Sequence, residues 1–213
     1  MNTILQQIGE LGIVPVIALA DAQSALPLAD ALVAGGLPCA EVTFRTAAGE
    51  EAIRLIAKKH PNILVGAGTV LTTEQAKRAI DAGARFVVSP GFNPNVVDFC
   101  VEQRIPVIPG CITPTEMEQA IERGLEVVKF FPAEQAGGLS FIKAVSAPYP
   151  MLSFVPTGGV GTDNVADYLS FGKVLACGGS WMVRKDLIDG GRFDEIEVLC
   201  AEASSIVKKV RKV

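Results

Sequence analysis

The sequence has little of what most hydrolytic and metal sites use. It contains one histidine, His60, which stands directly before Pro61 where a helical pattern ends. With a single histidine, the chain can supply few of the ligands of a zinc site and few of the members of a Ser-His-Asp triad. Any acid–base chemistry must fall to carboxylates, hydroxyls or lysine, and we expect no metal site.

Cysteines are few and show no pairing pattern. There are five of them, an odd number, and no two stand in a Cys-x-x-Cys arrangement. A disulfide framework or a cysteine metal site needs paired or regularly spaced residues. Unpaired cysteine packs as a small apolar side chain. The sequence therefore predicts reduced, buried thiols at Cys39, Cys100, Cys111, Cys177 and Cys200.

Excess positive charge and long apolar runs are also missing. The chain has 19 Lys and Arg against 23 Asp and Glu, and its one basic cluster lies at 208–212. Nucleic-acid-binding domains usually carry a basic patch, and a membrane span needs about 20 apolar residues. No run approaches that length, and the first residues lack a signal-peptide pattern. We expect no nucleic-acid partner, no membrane association and a cytoplasmic location.

The sequence instead alternates short apolar segments with amphipathic ones. The apolar segments predict strands at 13–19, 39–44, 63–68, 86–89, 106–109, 127–131, 153–156 and 174–177. A first helix is predicted over 3–11, and further helices at 24–34, 49–59, 73–82, 95–103, 115–123, 138–146, 163–170 and 194–210. Continuous apolar strands are typical of parallel sheets covered on both faces.

Eight strand–helix units at this length predict a single α/β domain, 1–213, folded as a (β/α)₈ TIM barrel with a short N-terminal helix. A doubly wound open sheet is the alternative. It is less favoured because no G-x-G-x-x-G follows the first strand.

One lysine stands in the middle of an apolar strand pattern. The segment reads Glu126-Val127-Val128-Lys129-Phe130-Phe131-Pro132. Strand side chains alternate, so Val127, Lys129 and Phe131 share one face. Burial disfavours the ammonium form, and the free amine is a nucleophile toward carbonyl carbons. For this motif alone, a lysine that extends from the strand end into solvent is the competing interpretation.

The second strand carries a charged face. Alternation places Glu41, Thr43 and Arg45 on one side and Phe44 on the other. In a barrel the active site lies at the carboxyl ends of the strands, so Glu41 is predicted to lie deeper and Arg45 near the mouth. Two charges inside a small barrel are costly unless they are paired or used. A purely structural ion pair is the alternative.

Glycines mark the ends of the strands that follow. The third strand ends in 66–69, with a hydroxyl at Thr69, and the fourth ends in Ser89-Pro90-Gly91. After the seventh and eighth strands come the pairs 158–159 and 178–179. Bare backbone N–H groups can bind an anion, and these two positions form the usual phosphate site of the barrel. Ser180 would add a donor. The alternative is that the glycines only close the barrel.

Five motifs together resemble the 2-keto-3-deoxy-6-phosphogluconate (KDPG) aldolases, a family that includes the 4-hydroxy-2-oxoglutarate (KHG) aldolases. The motifs are Glu41-Val42-Thr43-Phe44-Arg45-Thr46, Gly66-Ala67-Gly68-Thr69-Val70-Leu71, Lys129-Phe130-Phe131-Pro132-Ala133-Glu134, Pro156-Thr157-Gly158-Gly159 and Gly178-Gly179-Ser180-Trp181. They occur in the family's order, and no motif position departs from its pattern. The resemblance runs from about Val14 to the final helix.

The resemblance implies a class I aldolase on a (β/α)₈ barrel that works as a homotrimer on small 2-keto acids. It implies cleavage of KDPG to pyruvate and glyceraldehyde 3-phosphate, and of KHG to pyruvate and glyoxylate. It implies a covalent imine on Lys129 as the intermediate, with Glu41 as the acid–base group and no other cofactor. The resemblance also implies two groups of binding residues. Those at the substrate are Arg45, Thr69, Pro90, Phe131 and Thr157, and those at its phosphate are Gly158, Gly159, Gly179 and Ser180.

The residues alone leave two other functions open. One is a different lyase or isomerase on a phosphate-binding barrel, which uses Lys129 as a proton-transfer base without an imine. The other is a barrel that binds a phosphorylated metabolite and catalyses nothing.

Overall fold

Parallel strands and helices alternate along residues 2–212, the part of the chain that the computed structural model describes. The strands in this part are β1 Ile13–Ile17, β2 Cys39–Thr43, β3 Leu64–Gly68, β4 Val87–Val88, β5 Val107–Ile108, β6 Val127–Phe130, β7 Ser153–Pro156 and β8 Cys177–Gly179. The helices are α1 Thr3–Leu11, α2 Ala25–Ala34, α3 Ala48–Lys59, α4 Thr73–Asp81, α5 Pro94–Glu102, α6 Pro114–Glu122, α7 Gly138–Val145, α8 Val165–Ser170, α9 Lys185–Asp189 and α10 Phe193–Arg211. A 3₁₀ turn, Ala22–Ser24, precedes α2.

Six strands form a curled parallel sheet in the order β5-β4-β3-β2-β1-β8, and β6 pairs with β7 in a second parallel sheet. Isolated parallel bridges lie between the two sheets. Gly110, after β5, pairs with Lys129 of β6, and Thr157, after β7, pairs with Gly178 of β8. The predicted α/β class is confirmed.

Two apolar layers lie on opposite faces of the strands. The inner one collects side chains from the strands or from the residues just before them, together with two from α1: Leu5, Ile8, Val14, Cys39, Leu64, Phe86, Val88, Ile108, Val127, Val155 and Ala176. The outer layer lies between the strands and the helices and includes Val128 and Phe130 of β6. Phe130 stacks on Phe141 of α7 with ring centroids 5.5 Å apart. The predicted alternation of β6 is therefore confirmed.

Polar side chains cap the starts of several helices. The Thr72 side chain accepts a hydrogen bond from the Gln75 N–H, and Thr113 with Glu116 forms a complete capping box before α6. Such caps satisfy N–H groups that a helix leaves without partners. They help to fix where each helix begins after its strand.

The eighth strand is shifted from its predicted position. We predicted 174–177 with a glycine loop after it, whereas β8 is Cys177–Gly179 and both glycines lie within the strand. Neighbouring side chains occupy the space in which a Cβ would stand. A Cβ on Gly178 would lie 2.3 Å from Thr157 Oγ1, and one on Gly179 would lie 1.9 Å from the Trp181 ring. Close packing, rather than a turn, accounts for these glycines.

The remaining predicted elements agree with the structure to within about two residues at their ends, which is the usual uncertainty of a boundary. Helix α9 was not predicted. All five cysteines are free and buried, as predicted. Burial raises the pKa of Cys100 and Cys200 to about 12. No helix within residues 2–212 has the length and apolar character needed to cross a bilayer.

Candidate active site

A buried lysine and a buried carboxylate meet inside the fold. Lys129 of β6 is 5% exposed, and Glu41 of β2 is 3% exposed. Lys129 Nζ lies 3.4 Å from Glu41 Oε1. These strands belong to different sheets, so the contact crosses the interior. The burial of Lys129 excludes a lysine that extends into solvent.

Glycine on the neighbouring strand makes room for the carboxylate. In the β2–β3 register Gly68 stands beside Thr43, and a Cβ on Gly68 would lie 2.3 Å from Glu41 Oε1. Any side chain there would displace Glu41 from its present position. The backbone of Lys129 is also held firmly: its N–H donates to Pro109 O, and its carbonyl accepts from the Cys111 N–H. The segment after β5 thus holds the backbone of Lys129, and Gly68 of β3 leaves the space that the Glu41 side chain occupies.

Arg45 and Thr69 meet nearer the surface. Arg45 follows β2, is exposed, and donates its Nε–H to Thr69 Oγ1 at 3.3 Å. Thr69 follows β3 directly and has φ of +55°. Such a conformation is uncommon for a β-branched residue, and strained residues concentrate at functional sites. The predicted order is confirmed, with Glu41 buried and Arg45 exposed.

A cavity of about 740 Å³ opens at the carboxyl ends of the strands and brings together most of the predicted binding residues. Its lining includes Arg45, Phe131, Thr157, Gly158, Gly159, Gly179 and Ser180. Gly158 and Gly159 have φ of +97° and +78°, a backbone conformation that residues with a side chain rarely adopt. Lys129 lies next to this cavity, because its Nζ is 5.3 Å from the centre of the Phe131 ring.

Pro90 does not line this cavity but connects to the lysine through the backbone. It packs against Gly110, where a Cβ would lie 2.0 Å from Pro90 O. Gly110 in turn pairs with Lys129 across the bridge between the sheets. Pro90 is therefore placed beside the segment that holds Lys129.

Sequence reasoning missed three charged residues of the cavity: Arg184, Lys185 and Asp186. The Arg184 guanidinium donates two hydrogen bonds to the Asp186 carboxylate, at 3.0 and 2.6 Å. This bond pair lowers the pKa of Asp186. The signal that was available is the run of charge at 184–186, two residues beyond Gly178-Gly179-Ser180-Trp181, which lies outside any recognisable motif.

Within residues 2–212, no three or more His, Cys, Asp and Glu side chains come together in a group that could hold a metal ion. The polar groups around the cavity are instead a lysine, a carboxylate, arginines, hydroxyls and bare glycine N–H groups. This set suits covalent chemistry on a carbonyl compound and binding of anionic groups.

Comparisons with known proteins point to one family. The family described as KDPG and KHG aldolase matches residues 4–199. The 2-dehydro-3-deoxy-phosphogluconate aldolase of Treponema pallidum is 48% identical over 97% of this chain and 99% of that protein.

Two solved structures are also similar. The KDPG aldolase of Legionella pneumophila, with pyruvate captured at low pH as a covalent carbinolamine intermediate, has a TM-score of 0.90 and 37% identity over 93% of this chain and 97% of that one. The Zymomonas mobilis ZM4 enzyme with 3-phosphoglycerate has a TM-score of 0.89 and 37% identity over 95% of each chain. The chain described above therefore belongs to the KDPG and KHG aldolase family.

Proposed function

We propose that the protein is a class I aldolase that cleaves KDPG to pyruvate and glyceraldehyde 3-phosphate, and KHG to pyruvate and glyoxylate. The observation that carries the proposal is the buried contact of 3.4 Å between Lys129 Nζ and Glu41 Oε1. It supplies a nucleophilic amine and a proton-transfer group in one protected place. The names of the family and of its similar members support the substrate class.

The first half of the proposed reaction breaks the carbon–carbon bond. The neutral amine of Lys129 attacks the C2 ketone, and loss of water gives an iminium. The C3–C4 bond then breaks, its electron pair moves into an enamine, and Glu41 accepts the proton of the C4 hydroxyl directly or through a water. No metal or other cofactor is needed because the iminium is the electron sink.

The second half releases pyruvate. The enamine takes up a proton at C3, water adds to C2 of the resulting iminium, and the carbinolamine collapses to pyruvate and the free amine. The carbinolamine captured with pyruvate in the Legionella pneumophila enzyme supports this sequence of intermediates. The protonated Glu41 is near enough to Lys129 to return its proton within the same site.

The other residues would bind the two anionic ends of the substrate. Arg45 and Thr69 hold the carboxylate, for which the guanidinium fork is well suited. Pro90, Phe131 and Thr157 contact the carbon chain. Backbone N–H groups of Gly158, Gly159 and Gly179, with the Ser180 hydroxyl, receive the phosphate. The 3-phosphoglycerate in the Zymomonas mobilis structure supports a phosphorylated ligand.

We also propose that the eight strands close into one (β/α)₈ barrel spanning the whole chain, 1–213. The bridges between Gly110 and Lys129 and between Thr157 and Gly178 support closure. The inner apolar layer supports it as well, because it takes side chains from β1 to β7 and from the residue before β8. The predicted homotrimer rests on the family resemblance, and the predicted cytoplasmic location rests on the sequence pattern. Both stay predictions.

A pyruvate-release assay coupled to lactate dehydrogenase tests the proposed function. We expect turnover of KDPG and KHG that is unchanged by a chelator, and none of a 2-keto acid without a hydroxyl at C4. Activity that the chelator abolishes would contradict the mechanism. Failure to release pyruvate from both substrates would favour a different lyase, an isomerase or a binding protein.

Gly159 offers a separate test of the phosphate site. A Cβ at this position would lie 2.5 Å from Glu134 Cγ, and the backbone has φ of +78°. Gly159→Ala should therefore misplace the N–H donors. A hydrogen bond to a charged group contributes about 1.5–3 kcal/mol, so kcat/KM for KDPG should fall roughly 10- to 100-fold.

KHG lacks a phosphate, so its kcat/KM should change far less. The measurement is the ratio of the two kcat/KM values in wild type and variant, with circular dichroism to confirm folding. Gly172→Ala is the matched control, because Gly172 has no positive φ and open space around it. An unchanged ratio in Gly159→Ala would show that these glycines only close the barrel.

A further inference from the structure

A tyrosine–glutamate pair lies behind the glycines that follow β7, and the proposed reaction does not use it. Tyr168 of α8 is 1% exposed and donates its hydroxyl to Glu134 Oε1. Glu134 stands in the segment after β6, beyond Lys129, and is exposed. Burial, reinforced by the Glu134 carboxylate, raises the pKa of Tyr168, so the hydroxyl stays a donor at neutral pH.

Glu134 contacts Gly158 and Gly159, the two glycines that follow β7 in the predicted phosphate site. Its backbone N–H donates to Gly158 O at 3.1 Å, and the neighbouring Ala133 N–H donates to Thr157 O at 2.8 Å. Its side-chain stem covers Gly159, where a Cβ would lie 2.7 Å from Glu134 Cβ. The segment after β6 therefore holds this turn along one side.

Asn164 holds the same turn from a second side. Its Nδ2 donates to Gly159 O at 3.0 Å, and its Oδ1 accepts the Gly161 N–H at 2.9 Å. Between these two supports the glycine backbone keeps one conformation. Glycine otherwise loses more freedom than any other residue on becoming ordered, so an unsupported pair would have to be ordered by the ligand itself.

We propose that the Glu134–Tyr168 pair is a positioning device that holds the Gly158 and Gly159 N–H groups ready for a phosphate. Tyr168 anchors the carboxylate, the anchored stem lies on Gly159, and the N–H donors keep their direction. The inference rests on the phosphate site of the proposed function. Neither residue touches the reacting atoms, so both act through the glycines.

The structure contains a matched control. The other tyrosine of the sequence, Tyr149, donates its hydroxyl to Glu118 of α6 at 3.0 Å. The two pairs are chemically alike, and none of the four residues lines the 740 Å³ cavity. They differ in that Glu134 packs against Gly159, whereas neither Tyr149 nor Glu118 is among the atoms nearest Gly158 or Gly159. Loss of the Tyr149 hydroxyl should therefore report only the general cost of removing such a hydrogen bond.

Calorimetric titration of the full-length protein with 3-phosphoglycerate and with glycerate tests the inference without requiring turnover. A misplacement of about 1 Å can cost up to roughly 100-fold in a well-organised site. We expect Tyr168→Phe and Glu134→Ala to weaken 3-phosphoglycerate binding by about tenfold, a smaller cost than that limit. Glycerate binding should be unchanged. Glu134→Gln should bind like wild type, because glutamine keeps the stem and an acceptor for Tyr168.

Tyr149→Phe should leave both affinities unchanged. The inference would be overturned if Tyr168→Phe and Glu134→Ala both kept their wild-type affinity for 3-phosphoglycerate, or if they lost glycerate equally. It would also be overturned if wild type did not prefer 3-phosphoglycerate to glycerate. If wild type prefers 3-phosphoglycerate to glycerate but shows no aldolase turnover, the proposed function is contradicted. The affinities of the variants then still decide the positioning role.

Discussion

Lys129→Arg should lose essentially all aldolase turnover while the protein stays folded. The variant keeps a positive charge beside Glu41, so it avoids leaving a buried carboxylate without a partner. It cannot form the imine, because arginine remains protonated under all working conditions. Removing a covalent nucleophile costs on the order of 10⁴-fold or more in kcat. The measurement is pyruvate release from KDPG.

Lys143→Arg is the matched control for that variant. Lys143 Nζ also lies over an aromatic ring, at 5.8 Å from the centre of Phe171, but on α7 and outside the cavity. It should keep wild-type activity. A thermal unfolding curve for each variant separates lost chemistry from lost structure. Turnover in folded Lys129→Arg within about a hundredfold of wild type would remove Lys129 from the nucleophile role.

Glu41→Gln should lower kcat by about 10²- to 10⁴-fold, the usual contribution of a general acid–base group. Glutamine has nearly the shape of glutamate, so the space opened by Gly68 stays filled and only the titrating group is lost. The single histidine, His60, is paired with Asp30 at the surface and cannot substitute. The measurement is kcat for KDPG and KHG at saturating substrate.

Both substrates should be affected alike, because Glu41 acts at the bond that they share. Glu102→Gln, at an exposed position on α5, controls for the substitution itself. If folded Glu41→Gln retains kcat within a fewfold of wild type, Glu41 is structural. The proton from C4 would then need another acceptor.

The sequence predicted the local features well, because these depend on residues near one another in the chain. The apolar alternation of 127–131 put Lys129 and Phe130 on opposite faces, and in the structure Phe130 lies in the outer layer while Lys129 is buried and contacts Glu41. Threonines that cap helices stand directly before α4 and α6 in the sequence. Seven of the predicted site residues line one cavity, because the carboxyl ends of parallel strands meet on one side of the sheet.

Features that depend on contacts between distant residues were not predictable in the same way. The pattern placed Glu41 and Lys129 inside the fold, but nothing local indicated that residues 88 positions apart would form a pair. The end of β8 was misplaced because Gly178 and Gly179 resemble a turn, whereas Thr157 and Trp181 require glycine there. The contact of Glu134 with Tyr168 likewise depends on how α8 packs.

Borohydride trapping tests the central claim, the imine on Lys129, most directly. Wild type is incubated with pyruvate, reduced, digested and mapped by peptide mass spectrometry, with Lys129→Arg and a sample without pyruvate as controls. We predict irreversible loss of activity and one reduced pyruvyl adduct, located on Lys129 and absent from both controls. An adduct on a different lysine, or full activity after reduction in the presence of pyruvate, would contradict the account.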